Sequence, residues 1–543
     1  MKKTILIGGV AGQGSAVTSH LIGKIFCRLG YYVFNYRDYP SLIRGGHNFN
    51  ILEVSDKPVY SQGEKYDIII AFDQNTVDLH QKNLKEDGFV LASSKIHADK
   101  IKDIDTAPIL EELEGPQYLE NDILIGWLFK YFGVDKEFLF EQARETFGKG
   151  SEKIEKAIEK GYLIAEEKEK LEKKEGNYFI SGNEAIAIGA INAGLDVYLA
   201  YPMTPATGVL HYLAKKEKEY NIEVAQLENE IAVVNAALGA SFAGARAMVG
   251  TSGGGFALMT EAISLSGISE LPLVVYLSQR MGPATGVPTY NSQGDLKFAV
   301  NAGHGEFPKI VVAPGDSQEA ITRTEESFYL TAKYRTPVIL VGDKHLGEDD
   351  YTFKELKNSS VSKDRFLLKN PPADYKTYEI TDNGVSPVAV PGQGPVVRAT
   401  SYEHDEYGYT IEDAESTVAM NKKRMLKVEQ IEREVSRLKP TAIYGTGKNL
   451  IIGWGSTKGA IIDALPELDG FRFLQISYIT PFPRDIVKKE MEKSDKVILI
   501  ENSVTGLLGD IITEQTGLFV SKKVLRYDGR PFTADYIIRE LKK

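Results

Sequence analysis

Val197-Tyr198-Leu199-Ala200-Tyr201-Pro202-Met203-Thr204-Pro205-Ala206-Thr207 decides the fold. A short apolar run ends at Ala200, and two prolines, 202 and 205, stiffen the chain directly beyond it. Sheets of parallel strands place ligands in such loops, past the carboxyl ends of strands. Thr204 is held between the prolines, so its hydroxyl is a candidate substrate contact; the plainer alternative is that it caps the next helix. The same order recurs downstream. Ala247-Met248-Val249-Gly250 opens into Thr251-Ser252-Gly253-Gly254-Gly255-Phe256. Leu273 to Leu277 opens into Ser278-Gln279-Arg280-Met281-Gly282-Pro283 and Thr285-Gly286-Val287-Pro288-Thr289-Tyr290. Alanine-rich stretches at 231–242 and 257–266 read as the intervening helices. Strand–helix alternation predicts a parallel sheet with right-handed crossovers, and three such loops at one edge point to one site.

Leu227-Glu228-Asn229-Glu230-Ile231-Ala232 sets acids immediately before an apolar helix. Glutamates in a first helical turn commonly serve the helix dipole. A glutamate buried against small residues can instead hydrogen-bond a cofactor ring, its proton affinity raised by desolvation. Gly250-Thr251-Ser252-Gly253-Gly254 also fits the hydrolase pattern GxSxG, which makes Ser252 a rival nucleophile.

Working outward, residues 1–150 read as a first α/β unit, with strands at Ile5–Ile7, Tyr32–Phe34 and Ile68–Phe72. Gly9-Val10-Ala11-Gly12-Gln13-Gly14-Ser15 lies between a strand and a helix, where glycines and free N–H groups suit a phosphate or simply a tight turn. The acid that would close the second strand for a nicotinamide cofactor is missing, since Asn35 holds that place and Asp38 comes later. In Asp38-Tyr39-Pro40-Ser41-Leu42-Ile43-Arg44-Gly45-Gly46-His47-Asn48, Arg44 precedes two glycines, an arrangement open to an anion. A Lys/Glu-rich stretch at 151–177 reads as a charged linker, a solvated helix joining two domains. A second α/β unit spans 178–349, a proline-dotted connector ending in a helix spans 350–440, and a third α/β unit spans 441–543.

Composition narrows the chemistry. The 543 residues carry 64 Lys and Arg against 75 Asp and Glu, a net charge of −11 that argues against general nucleic-acid binding. The single cysteine, Cys27, excludes an internal disulfide and a cysteine-ligated cluster built from this chain alone. The eight histidines show no pairing suited to a metal, and neither a Walker A nor a kinase pattern occurs. A Gly-Asp-Gly followed by a distant Asn, the usual anchor for thiamine diphosphate and magnesium, is also missing. No apolar run reaches the length of a membrane span, and the first residues do not read as a signal peptide, so a cytoplasmic protein is expected.

Taken in order, these strings resemble the 2-oxoacid:ferredoxin oxidoreductases, as an α subunit with the γ domain fused at its N-terminus. YPMTP is similar to that family's YPITP, and Gly182-Asn183-Glu184-Ala185, LENEIA, TSGGGFALM, QRMGPATGVPT, Gln293-Gly294-Asp295-Leu296, Glu403-His404-Asp405-Glu406-Tyr407-Gly408, GVAGQG and YPSLIRGGHN follow suit. The resemblance spans nearly the whole chain and demotes the hydrolase reading of Ser252.

It implies three α/β domains with mainly parallel sheets: a Rossmann-like γ domain, a thiamine diphosphate pyrimidine-binding domain and a transketolase C-terminal-like domain. It implies oxidation of a 2-oxoacid, 2-oxoglutarate or several, to acyl-CoA and carbon dioxide with reduction of ferredoxin. Glu230 aligns with the glutamate that hydrogen-bonds the aminopyrimidine, with Glu228 as its supporting neighbour. Tyr201, Pro202, Gly253 and Gly254 fall in the cofactor strings, Gly254 standing where proline is usual. Thr204 is expected near the substrate carbonyl or carboxylate, and Gly12, Gly14, Arg44, Gly45 and Gly46 become coenzyme A candidates. Tyr290 departs from the pattern, because an arginine that pairs with the substrate carboxylate is usual there; Arg280 or the partner then has to supply the charge. An uncharged Tyr290 would also suit indolepyruvate or branched-chain 2-oxoacids, or a non-catalytic acyl-CoA-binding regulatory paralogue. The diphosphate anchor, Mg2+ and the iron–sulfur cluster are expected on a partner β subunit, in a dimer of αβ units.

Overall fold

The computed structural model describes residues 1–42 and 45–543. Three sheets carry the chain, and helices cover their faces. The strands that read as unbroken apolar runs are buried on both sides. Ile5, Leu6, Ile7, Ile69 and Ile70 have no exposed surface, as a parallel strand under helices requires.

The central sheet runs in the order 478–480, 310–312, 337–343, 273–279, 247–251, 197–200, 223–226. All its pairs are parallel except the first, in which Tyr478–Thr480 of the third unit lies antiparallel to Ile310–Val312. From Val197–Ala200 the chain moves outward to Glu223–Gln226, then returns to the other side at Ala247–Thr251. The sheet therefore reverses its winding between strands 197–200 and 247–251, and such a reversal opens a crevice at their carboxyl ends. The third sheet, in the order 441–445, 471–476, 449–453, 496–501, 522–525, shares one apolar core with one face of the central sheet.

The first sheet departs most from the sequence reading. Its order is 101–104, 84–93, 66–71, 2–10, 47–55, 32–38, 350–353, 178–181. Only the first four strands run parallel; His47–Ser55 enters antiparallel between strands 2–10 and 32–38. The second strand extends through Asp38, so an acid does close it, in ion-pair contact with Arg530 of the third unit. The last two strands, Tyr178–Ser181 and Asp350–Phe353, flank the central domain in the chain yet finish the first sheet.

The helix expected within 151–177 forms, but only over its first half, and it is packed rather than solvated. Ser151–Leu163 is a helix that buries Ala157 and Ile158 in the first core. Gly161 lies on the backbone of Ile123 and Gly126 on that of Ile158, so neither position has room for a methyl group. Residues 164–177 then strap the first domain through backbone bonds from Lys168 and Glu169 to Tyr131, Leu171 to Phe132 and Lys174 to Leu29. The connector is likewise structured at its ends, by strand Asp350–Phe353 and the 24-residue helix Ala414–Arg437. No helix among the described residues is long and apolar enough to cross a membrane.

Candidate active site

Loops 201–206 and 252–255 leave the two strands at the reversal. Asn183, buried at the start of helix Gly182–Asn192, donates from Nδ2 to the carbonyl of Pro205 at 2.9 Å and accepts from the Tyr276 hydroxyl at 3.1 Å. A proline supplies no N–H, so the loop is pinned through its carbonyl instead. The Thr204 carbonyl accepts from Arg280 Nη1 at 2.8 Å. Two of the residues singled out for substrate contact, Thr204 and Arg280, therefore meet, while Tyr201 and Pro202 stand exposed on the rim.

Glu230 opens helix Glu230–Phe242, whose cap is Asn229: its Oδ1 accepts from Ala232 N at 2.9 Å. With the cap made by Asn229, the glutamate is not needed for it. Glu230 is only 3% exposed, and its Oε1 is buried without a hydrogen-bond partner. A buried carboxylate oxygen left unpaired costs stability, so it marks a place where something else is to bind. The space around it is kept by Gly255, where a methyl group would run into both Glu230 Oε1 and Thr251 Oγ1. Gly253 starts helix Gly253–Ser269 beneath Asp295, and an added methyl there would sit 2.6 Å from Asp295 Oδ2. Gly254 faces open space.

Sequence reasoning does not single out Asp295 as a site residue, yet it sits between Gly253 and Arg280. Burial pushes its carboxyl up to about 6, with Arg280 pulling the other way. Arg280 in turn is lowered by its own burial, which Asp295 opposes. Gln279 Oε1 fixes the Asp295 backbone at 2.8 Å.

Tyr290 is engaged elsewhere. Its hydroxyl donates toward Asp38 Oδ1 at 3.5 Å, and the Arg530 guanidinium lies 4.0 Å over its ring while reaching Asp38 at 3.4 Å. The three domains meet at this cluster. The loop carrying Gly45 and Gly46 leaves strand 32–38 at Asp38, so it starts beside Tyr290. Ala11 N donates to the Gly46 carbonyl at 3.3 Å, tying the two glycine loops of the first domain together. Gly12, Gly14, Gly45 and Gly46 all take positive φ, between 76° and 98°, a conformation that favours glycine. Gly14 begins helix Ser15–Arg28 with no side-chain cap, so the first N–H groups of the helix are left without a side-chain acceptor. Arg44 lies outside the described residues.

Glu228 adjoins the Asn229 cap. Ser252, the rival nucleophile, is fully buried and its Oγ has no hydrogen-bond partner among the described residues, so no base activates it. The signal for Asp295 is present in the sequence as Gln293-Gly294-Asp295-Leu296, but nothing local shows that it faces Gly253. Gln293 holds the domains together instead. It bonds both ways to Asn502 and donates to the Trp454 carbonyl, locking the third domain to the site.

Comparison with known proteins identifies the family. Residues 188–423 match the family model for pyruvate flavodoxin/ferredoxin oxidoreductase, thiamine diP-bdg, and residues 4–164 match pyruvate ferredoxin/flavodoxin oxidoreductase. The chain is 32% identical to 2-oxoacid:ferredoxin oxidoreductase subunit alpha of a Sulfolobus species, over 100% of this chain and 97% of that one. It is 30% identical to 2-oxoglutarate synthase subunit KorA of Methanothermobacter thermautotrophicus, over 63% of this chain and 92% of that one. A solved structure of 2-oxoglutarate:ferredoxin oxidoreductase from Magnetococcus marinus, with 2-oxoglutarate, coenzyme A and succinyl-CoA bound, superposes with a TM-score of 0.88 at 27% identity, covering 100% of this chain and 99% of that one. The chain that brings Glu230, Thr204 and Arg280 to the reversal of its central sheet thus belongs to the α-subunit family of the 2-oxoacid:ferredoxin oxidoreductases.

Proposed function

We propose that this chain, with a partner β subunit, oxidatively decarboxylates 2-oxoglutarate or a set of 2-oxoacids to the acyl-CoA and passes the electrons to ferredoxin. The observation that carries the reading is the unpartnered oxygen of buried Glu230 at the sheet reversal. Thiamine diphosphate, when bound, supplies a nucleophilic carbon for the 2-oxo group and a sink for the electron pair that decarboxylation releases.

Glu230 Oε1 is suited to share a proton with the aminopyrimidine ring, in a dry pocket where such a bond is strong. Gly253, Gly254 and Gly255 leave the backbone close to that ring, with Tyr201, Pro202 and Glu228 along the edge. Thr204 orients the 2-oxo group. Arg280, already against the Thr204 carbonyl, supplies the cation for the substrate carboxylate. Tyr290, held by Asp38 and Arg530, shapes the wall rather than binding charge. Gly12, Gly14, Gly45 and Gly46 form the cradle for the coenzyme A phosphates, with Arg44 as a further candidate.

The remaining machinery belongs to another chain. Cys27, the single cysteine, is buried, and burial pushes its thiol up to about 12, so it is neither a ligand nor a nucleophile. Ile231, Leu258 and Phe298 are exposed on the elements that carry Glu230, Gly253 and Asp295, and an apolar face beside a half-built site supports a partner there. That partner brings the diphosphate anchor, Mg2+ and the iron–sulfur cluster, and the assembly is a dimer of αβ units.

The test is to purify the complex and assay ferredoxin or dye reduction against a panel of 2-oxoacids with coenzyme A. Turnover of 2-oxoglutarate and loss of turnover in Glu230→Gln, with the complex still assembled, support the proposal. Wild-type turnover in that variant would falsify the role of Glu230. A complex that binds acyl-CoA but reduces nothing points to the non-catalytic paralogue.

A further inference from the structure

A second cavity lies at the opposite edge of the central sheet. It opens where helices 230–242 and 253–269 end and is roofed by connector residues 365–398. The 13-residue helix that begins at Glu230 separates it from the crevice by about 18 Å.

Its walls are apolar, with Phe242, Leu271, Phe328, Leu367 and Val388. Arg246, Arg335, Arg365 and Arg398 join them. Arg365 is paired with Asp196. The other three are held by neutral oxygens only: Arg246 by the carbonyls of Lys363 and Asp364, Arg335 by those of Glu270 and Thr377, and Arg398 by the Tyr409 hydroxyl. None of the three forms an ion pair among the described residues. Glu270 borders the cavity, but its carboxylate is taken up on both oxygens by Lys423 and Lys427. Arginines and lysines therefore outnumber the acids that act on them, Asp196 and Asp364 beside Arg246 and Glu270 beside Arg335, and the cavity is left with an excess of positive charge.

Two donors that border it have no partner. Ser241 is 8% exposed and its Oγ is unbonded, and Arg246 Nε is buried and unbonded. A hydroxyl and a guanidinium N–H left unsatisfied next to excess positive charge suit an oxyanion, and the apolar walls suit a short carbon tail. The cavity measures about 60 Å³, several times the about 10–15 Å³ that one water needs.

We propose that this cavity binds a small organic monocarboxylate, its carboxylate on Ser241 Oγ and Arg246 Nε and its tail against Phe242 and Phe328. The site is separate from the crevice that takes the 2-oxoacid.

The probes are propionate, isobutyrate and inorganic phosphate, titrated into the full-length chain by calorimetry. Ser241→Val is the decisive variant, because it fills the cavity and removes no existing hydrogen bond. Arg246→Met is the second, and Arg280→Met is the control for binding in the crevice. The expected result is saturable binding of propionate or isobutyrate at Kd on the order of millimolar or tighter, weakened at least about tenfold by Ser241→Val and kept in Arg280→Met. Arg246→Met weakens it in the same direction. Absence of saturable binding by either acid overturns the proposal, as does binding that Ser241→Val leaves intact. Binding of phosphate alone overturns the carboxylate class.

Discussion

Glu230 and Glu270 stand at opposite edges of the central sheet, and both are buried, at 3% and 0% exposure. Their surroundings differ in one respect. Glu270 receives Lys423 at 2.5 Å and Lys427 on its other oxygen, both from helix 414–437. Burial alone would raise its carboxyl, but Lys427, Lys423 and Arg335 together hold it well below the usual carboxylate range. Glu230 has no cation at hydrogen-bond distance among the described residues, and one of its oxygens has no partner at all. Removing one member of a buried ion pair strands the others, whereas a buried carboxyl oxygen without a partner is free to take a ligand. Burial by itself distinguishes nothing, and the set of bonding partners does.

The largest expected effect tests the unpaired member. Glu230→Gln should lower kcat/KM by about 10²–10⁴-fold, the range of a lost proton-sharing group. Its melting temperature should stay close to that of wild type, because the unpartnered Oε1 has no hydrogen bond to lose. A drop in melting temperature with activity retained would reverse the two roles.

Glu270→Gln should do the opposite. Two lysines are left buried without their counter-ion, at a cost of about 3–5 kcal/mol in denaturant unfolding. Activity per folded molecule should hold below the melting transition. Replacing Lys423 and Lys427 by methionine in the same variant should restore much of that stability.

Gly255→Ala sharpens the comparison at the unpaired end. The new methyl displaces the Glu230 carboxylate, so activity should fall by about 1–3 kcal/mol in activation free energy, as for a misplaced hydrogen bond. Combined with Glu230→Gln, it should add little, because the two act on one group.

The effect smallest in its reach on activity concerns Asp295, where stability alone should change. Burial raises its carboxyl to about 6 from an unfolded value near 3.8, so the folded chain keeps this proton longer than the unfolded one. Stability then falls as pH rises from about 4 to about 6 and is level above. Asp295→Asn should remove that slope, gaining up to about 3 kcal/mol at pH 7 and nothing at pH 4, as read by urea unfolding across pH.

Much of this is legible in the sequence, and the reason is local. Strands such as Val197–Ala200 and Ala247–Thr251 are apolar on both faces, and the loops after them are marked by proline and glycine. Strand His47–Ser55 escapes such a reading because Asn48, Asn50 and Glu53 break its apolar character. Those polar groups are answered at a distance: Asn50 donates to Asn35, and Glu53 accepts from Thr4. Helix 151–163 looks solvated in the sequence because its buried side is narrow, with Ala157, Ile158 and Gly161, the last pressed on the backbone of Ile123. The pairing of Glu270 with Lys423 and Lys427 bridges more than 150 residues of chain, beyond any local pattern. Glu230 itself is readable, but its unpaired oxygen is not.

The first sheet is finished by strands 178–181 and 350–353, which flank the central domain, and this has a bearing on proteolysis. A protease that cuts the charged strap at 164–177 severs the chain without freeing either part. Tyr178–Ser181 stays hydrogen-bonded to Asp350–Phe353, which pairs with Tyr32–Asp38, and Asp349 still accepts from Arg37 N at 3.0 Å. The nicked protein should migrate as one particle until denatured. The seam between the first two domains is thus sewn into a sheet, and a single cut does not open it.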